Sequence, residues 1–464
     1  MCLASRRISG KKFPARRKSR IPCPHPYPKQ ILLLSRVKPP EPAGGAGVRD
    51  GRRTGVTKKA KTPGRRLAAV VMLFYFLAFL LLASREMDRL GLILAVAVPV
   101  IIFLGTYFLP HLFPADRLLL SLTNFLCALG VLLLYDTNPA YARQQVIAYG
   151  VGLFCMVFCI YLVRAIRDWR PWTWLLAVCS LALLALPLVF GREINGARNW
   201  ITFAFFSFQP SEVVKLTLLL ILAFFMSRRR MLPWFLFVLS CLGLLMLQKD
   251  LGTALLYFSV TLLLYWASTG NLPVTLLGLA GGGAAAFVGY QRFAHVRRRV
   301  AIWLNPWADY DNAGYQLVQG LMAIASGGLF GVGLGLGSPT SIPVYESDFI
   351  FAVLCEQFGL IFGLCVLLMM VALVLRGAMI AMAARRSFHG LLAMGASVLL
   401  GIQTFVIIGG VLKLIPLTGV TLPFVSYGGT SLISSMCLVG FIQGVESLNE
   451  DDLQEEARLA RLQK

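Results

Sequence analysis

Twelve apolar runs, each about as long as a bilayer is thick, leave this chain of 464 residues few ways to fold. They fall near 67–83, 90–109, 117–135, 144–163, 172–190, 210–226, 231–247, 251–268, 272–290, 348–375, 389–411 and 424–445. A helix needs about 20 apolar residues to cross the hydrocarbon core. Lipid cannot satisfy backbone N–H and C=O groups, so a crossing segment is either a helix or part of a closed barrel. These runs do not alternate with period two, which excludes the barrel. With 57% hydrophobic and 14% charged residues, the chain also lacks the polar surface of a soluble protein of its length. The sequence predicts an all-α integral membrane protein, a polytopic helical bundle.

The net charge of +23 is unevenly placed. Residues 1–66 hold 19 of the 44 Lys/Arg and only 2 of the 21 Asp/Glu. This stretch is rich in Pro and Gly and lacks a helical period, so it is read as a disordered cytoplasmic tail, or as sequence upstream of the native start. It lacks the folded basic surface of a nucleic-acid module, so no nucleic-acid partner is expected; membrane lipid is. The ten cysteines lie mostly in apolar runs, where a thiol behaves as a small hydrophobe, and no histidine set completes a zinc site. The first apolar run starts only at Leu67, so no cleavable signal peptide is expected.

Short connections give the sidedness. Arg164, Arg167 and Arg170 cluster in one, Arg228, Arg229 and Arg230 in a second, and Arg376, Arg385 and Arg386 in a third. Arginine-rich short loops stay cytoplasmic. Twelve crossings then put both termini in the cytoplasm. Segments 191–209, 248–250, 291–347 and 412–423 fall on the outer face, and they hold the least ordinary residues. Arg297, Arg298 and Arg299 lie there against the trend, which a long loop tolerates.

Among those residues, Asp309 sits in the polar stretch Asn305–Gln316, where it could be a catalytic base, a transport residue or part of a solvated turn. Gln209, Ser211, Glu212 and Lys215 open a span after Phe208; Glu212 and Lys215 share a helix face, as an ion pair or a polar wall. Asp250 stands at another helix start, where capping alone would explain it. The glycines from Gly327 to Gly337 precede no Gly-Lys-Ser/Thr, so they suggest a flexible re-entrant segment, not a phosphate loop. Asp348 and Glu356 are eight residues apart on one helix face. Prolines 416 and 423 and the Gly428-Gly429 pair break helical continuity where backbone must line a cavity or be buried in protein. Two classes survive: a transporter with broken helices, and a membrane transferase acting at the outer surface. The bias of unusual residues to one side favours the transferase.

The motifs Asn195-Gly196…Trp200, Phe208-Gln209-Pro210-Ser211-Glu212, Asp250-Leu251-Gly252-Thr253, Asp348-Phe349-Ile350-Phe351-Ala352 and Pro423–Gly429 occur in this order. Together they resemble the SEDS family (shape, elongation, division and sporulation), which includes FtsW, RodA and SpoVE. The resemblance implies a ten-helix core over 117–446 with the large outer loop 291–347. The spans in 67–116 would be additions, and 447–464 a charged cytoplasmic tail. It further implies a glycosyltransferase polymerising lipid II, partnered by a class B penicillin-binding protein and other elongasome, divisome or sporulation proteins. Carried over by position, the catalytic base falls on Asp309, with Asp311 as fallback. Arg198, Trp200, Gln209, Ser211, Glu212, Lys215, Asp250, Glu346, Asp348, Glu356, Lys413, Ser426, Tyr427 and Gly428 fall around the substrate. The pyrophosphate would need Arg198, Lys215, Lys413, the Arg297–Arg299 cluster or a divalent cation, Mg or Mn. Glu346, Gln357, Ile407 and Lys413 stand where many relatives have His, Glu, Asn and a small residue. A lipid II flippase and a non-catalytic scaffold are the rival readings.

Overall fold

A computed structural model describes residues 64–86, 88–166, 168–194, 197–202, 207–312 and 314–462. The basic tail expected over 1–66 lies, but for its last three residues, outside them, as do Arg167, Asn195 and Gly196.

All twelve predicted spans are helices. In chain order the helices are α1 (Gly64–Glu86), α2 (Arg89–Phe103), α3 (Leu109–Leu112), α4 (Arg117–Thr137), α5 (Pro139–Ala165), α6 (Arg170–Phe190) and α7 (Pro210–Ser227). They continue with α8 (Met231–Leu247), α9 (Leu251–Thr269), α10 (Leu272–Arg292), α11 (Ala294–Leu304) and α12 (Tyr315–Gly327). The last three are α13 (Ile350–Ala383), α14 (Ser387–Val411) and α15 (Gly429–Leu462). A single π-turn, Leu104–Phe108, joins α2 to α3 within one span. Eleven helices are long and apolar enough to cross, and α8 is a shorter apolar twelfth. The ends follow local chemistry. Asp116, Asn138, Asp250 and Asn271 cap α4, α5, α9 and α10 by accepting from backbone N–H groups, satisfying donors that a helix start otherwise orphans. Pro139 and Pro210 occupy first turns, where a missing N–H costs nothing.

The bundle is built around α4, α7, α14 and α15, whose residues are largely buried, while α10 is almost wholly exposed at the periphery. Glycines let α15 approach α5: a Cβ on Gly440 would lie 2.6 Å from the Met156 carbonyl. Small residues permit such close packing where no hydrophobic effect drives helices together. The charged stretch after residue 447, expected as a solvated helix, is the exposed end of α15.

Three features go beyond the sequence reading. Residues 192–208 carry a small antiparallel meander of β1 (Arg192–Ile194), β2 (Ala197–Thr202) and β3 (Ser207–Phe208). The stretch 291–347, expected as a polar loop, contains α11 and α12. The first carries three arginines and the second is only 13 residues long, so neither reads as a span. Finally, α13 is broken at Gly359, whose φ of 84° and ψ of 167° are non-helical. The glycine segment fills the break. Leu360 N donates to Gly328 O at 2.9 Å, Val332 N to Glu356 O at 2.9 Å and Gly333 N to Gln357 O at 3.1 Å. A Cβ on Gly331 would overlap the Gln357 carbonyl, and one on Gly359 the Leu329 carbonyl. The glycine segment is therefore docked backbone to backbone in the break, while Leu329 and Phe330 remain exposed.

The additional hairpin of α1 and α2 packs on α4. Tyr135 Oη donates to Asp88 Oδ2 at 3.1 Å, and Asn124 Nδ2 to Thr106 Oγ1 at 3.0 Å. Arg85 Nη1 reaches the glycine segment, at Gly335 O, 2.8 Å.

Candidate functional site

The polar residues gather at one end of the bundle, where α6 passes to α7, α8 to α9, α10 to α13 and α14 to α15. Asp309 closes a 3₁₀ turn, Pro306–Asp309, between α11 and α12. Gly314 N donates to Asp309 O at 2.9 Å, and a Cβ on Gly314 would overlap the Pro306 carbonyl, so the turn is tight enough to require glycine there. Asn312 Nδ2 donates to Asp309 Oδ1 at 2.9 Å. Asp309 and Asp311 are both exposed. Beside them Trp307 stacks on Tyr310 with rings 10° from parallel, and Tyr310 meets Tyr315 edge-on. Trp307 is 59% exposed, so the stack presents an aromatic face to its surroundings.

Helix α11 pins this turn to the segment before α15. Trp303 Nε1 donates to Lys413 O at 3.0 Å and Arg299 Nη1 to Thr418 O at 3.1 Å. The Arg299 guanidinium also acts electrostatically on His295 and Asp348. Burial first, then Arg299 and Lys249, hold the His295 imidazole below its usual range. Arg297, Arg298 and Arg198 are exposed and Lys413 is half-exposed, giving this end a basic rim.

A second tie joins the entrance of α13 to that of α15. Ser426 Oγ donates to Ser347 O at 2.6 Å and accepts from Leu422 N at 2.8 Å. Tyr427 N donates to Glu346 O at 2.8 Å, while the Tyr427 hydroxyl donates to Gln144 and its ring packs on Tyr141. Gly428 lies beside Ser431. Ser347 Oγ donates to Asp348 Oδ1 at 2.9 Å. Burial pushes the Asp348 carboxyl up to about 6, against the pull of the Ser347 hydroxyl and Arg299, with Glu346 adding to the rise. An acid raised in the fold favours its protonated form. Its stabilising share is full below the unfolded value of about 3.9 and is lost as pH rises through about 6. Asp348→Asn removes that titration. The stability of the variant relative to wild type should climb by about 2 kcal/mol from pH ~4 to pH ~7. Thermal melting of the detergent-solubilised protein checks this, and a gap that stays flat with pH refutes it.

Several predicted substrate residues are occupied within the fold. Asp250 caps α9 through Thr253 N at 3.1 Å, and its other oxygen accepts from Asn199 Nδ2 at 2.9 Å and Gln209 Nε2 at 3.3 Å. It thereby clamps the β meander; Trp200 on β2 is half-buried. Glu212 and Lys215 form a buried pair at 2.5 Å. Ser434 Oγ donates to Glu212 at 2.5 Å, and Lys215 Nζ donates to Gln403 Oε1 at 3.2 Å. Ser211 is buried beside them, its carbonyl accepting from Tyr257 Oη at 2.7 Å. Glu356 is buried, with Oε1 taking Ser338 N at 3.0 Å; Oε2 has no hydrogen-bond partner among the described residues. Of the candidate acids, Asp309 and Asp311 alone are exposed; Glu346 and Asp348 are half-buried. The sequence reading did not single out Trp303, Gln403 or Gln145, whose Nε2 holds Ser426 O at 3.0 Å. A glutamine in mid-span, as at 403, was the available signal.

Among the described residues no three His, Cys, Asp or Glu side chains converge as a metal site. Asp309 and Asp311 are both exposed near this turn and carry oxygen donors of the kind a hard cation takes.

A family profile described as "Cell cycle protein", covering FtsW, RodA and SpoVE, matches residues 116–450. The chain belongs to the FtsW/RodA/SpoVE family. Peptidoglycan glycosyltransferase RodA of Mycobacterium tuberculosis is 33% identical over 361 residues, 70% of this chain and 77% of that protein. Stage V sporulation protein E of Bacillus subtilis is 35% identical, over 71% of this chain and 96% of the relative. Among solved structures, a chain from a peptidoglycan synthase complex matches with a TM-score of 0.60 at 30% identity, over 72% of this chain and 98% of its own length. Thermus thermophilus rod shape determining protein RodA matches with a TM-score of 0.55, also at 30% identity, over 73% and 98%. The family region begins at α4, so α1 to α3 lie outside it.

Proposed function

We propose that this FtsW/RodA/SpoVE member is a peptidoglycan glycosyltransferase that polymerises lipid II at the outer face of the cytoplasmic membrane, with both termini in the cytoplasm. The observation that carries the site is the exposed Asp309 carboxylate on a tight turn, next to an aromatic face and a basic rim. In the reaction the 4-hydroxyl of an acceptor GlcNAc attacks C1 of the α-linked donor sugar. Asp309 takes the hydroxyl proton as the new β-1,4 bond forms. The bond from C1 to the undecaprenyl pyrophosphate breaks, and that group leaves with the bonding electrons. Attack opposite the leaving group inverts the anomeric centre. The Trp307–Tyr310 stack suits the apolar face of a sugar ring. Arg198, Arg297, Arg298 and Lys413 offset the pyrophosphate charge. A Mg or Mn ion held by Asp309 and Asp311 would add further neutralising charge. Glu212, Lys215, Ser211, Asp250 and Ser426 act by holding the elements in place.

The structural likeness to a chain of a synthase complex supports a class B penicillin-binding protein as partner, for wall growth in elongation, division or sporulation. The test is to supply purified protein, alone and with its cognate penicillin-binding protein, with fluorescent lipid II and resolve the products by gel. Glycan ladders that a muramidase removes are expected. No polymer in either case, with labelled lipid II crossing proteoliposome membranes instead, would establish the flippase reading; retained partner binding with neither activity would leave a scaffold.

A further inference from the structure

At the end of the bundle opposite Asp309, a cavity of about 420 Å³ opens where α6 begins and α7 gives way to α8. Arg170, Arg228 and Arg230 line it, with Pro171, Trp174, Phe224 and Phe225. The Arg228 guanidinium lies 4.3 Å from the Phe224 ring centroid and 3.5 Å from Asp168 Oδ1, which orients it. Among the described residues the Arg170 and Arg230 side chains have no ion pair or hydrogen bond. Three arginines thus line a space with an aromatic floor and no acid in its lining, Asp168 meeting Arg228 alone.

Arginines at this face would set membrane orientation without any cavity. The cavity adds chemistry. A guanidinium presents a planar fork that pairs with two phosphate oxygens. The aromatic floor offers nothing to a soluble anion but suits the glycerol and first methylenes of a lipid. Trp174 packs edge-on against Phe225 at 5.4 Å and is 57% exposed, as an interfacial tryptophan should be. One turn further along α6, Val178 is 65% exposed, continuing an apolar track away from the arginines. Basic pockets between spans that end in such a track take anionic headgroups.

We propose that Arg170, Arg228 and Arg230 form a headgroup site for an anionic phospholipid of the leaflet at this end. The phosphodiester lies between Arg170 and Arg230, and an acyl chain runs past Trp174 along α6. The site lies apart from the catalytic turn and is independent of the reaction assigned to it.

The experiment is native mass spectrometry of the full-length protein in detergent, titrated with phosphatidylglycerol or phosphatidylcholine. Wild type should retain phosphatidylglycerol selectively. Arg170→Gln/Arg230→Gln should lose about thirtyfold in that retention, since each interfacial arginine contributes about fivefold. Both positions are exposed, so folding should survive, which melting in phosphatidylcholine verifies; if it fails, each single substitution should still lose about fivefold. Arg385→Ala removes an arginine at the same end that is already paired with Asp452 and Glu456, and should change nothing. Equal retention of both lipids, or unchanged retention in the double variant, overturns the site. Ready displacement of phosphatidylglycerol by millimolar inorganic phosphate overturns the lipid assignment in favour of a soluble anion.

Discussion

Asp309→Ala is expected to lower glycan polymerisation from purified lipid II by about 100- to 10,000-fold, the range over which a positioned general base acts. The protein should express and melt as wild type does. The Asp309 side chain is exposed on its turn, and the backbone bond from Gly314 N to Asp309 O survives the substitution. Asp309→Asn sharpens the test, because an amide keeps an oxygen for Asn312 Nδ2 yet cannot take a proton. It should be as inactive as the alanine variant. Asp311→Ala should retain polymerisation to within about tenfold, as loss of a supporting charge rather than of the base. Near wild-type polymerisation by both Asp309 variants would sink the assignment, and loss only on substituting Asp311 would move the base two residues along.

The structure supplies a reason for preferring these two acids that the sequence did not contain. From residues alone, Glu212, Asp250, Asp348 and Glu356 all competed with Asp309, and only the family resemblance separated them. In the fold, Glu212 is spent on Lys215 and Ser434, Asp250 on capping and on the β meander, and Glu356 on Ser338. Lys215 and the α9 cap could be read from the chain by spacing alone; Ser434, Asn199, Gln209 and Ser338 could not, since each lies on another element or beyond a turn of unknown path.

What was legible follows from the solvent. Lipid forces any long apolar run into a helix, so the spans and their count were written in hydropathy, and Asp, Asn and Pro marked many of their starts. Helices α11 and α12 were missed because each is short and takes its place by tertiary contact, α11 through Trp303 and Arg299 and α12 through Gly320, whose bare Cα admits the Phe349 ring. The break at Gly359 was equally hidden. Glycine permits it, but the carbonyl of Gly328 and the amides of Val332 and Gly333 satisfy it, and they come from outside the helix.

The second large effect concerns Glu212 and Lys215. This pair is sealed inside the bundle, with relative side-chain exposures of 11% and 2%. Lys215→Met should cost about 3–5 kcal/mol, because it leaves a buried carboxylate uncompensated, whereas removing both charges together should be far milder. Glu212→Gln/Lys215→Met therefore should recover most of the loss. The pair also reaches the site: Lys215 holds Gln403, and Gln403 Nε2 donates to Thr421 O at 2.9 Å in the segment that α11 grips. Gln403→Leu, which breaks that relay and leaves the ion pair intact, should reduce polymerisation more than it reduces stability. A thermodynamic cycle over the two single and one double variants, read by thermal melting, measures the coupling. If the singles melt with wild type, or the double melts no higher than Lys215→Met, the pair does not act as a unit. If Gln403→Leu polymerises normally, the buried charges hold the bundle together without supporting the catalytic end.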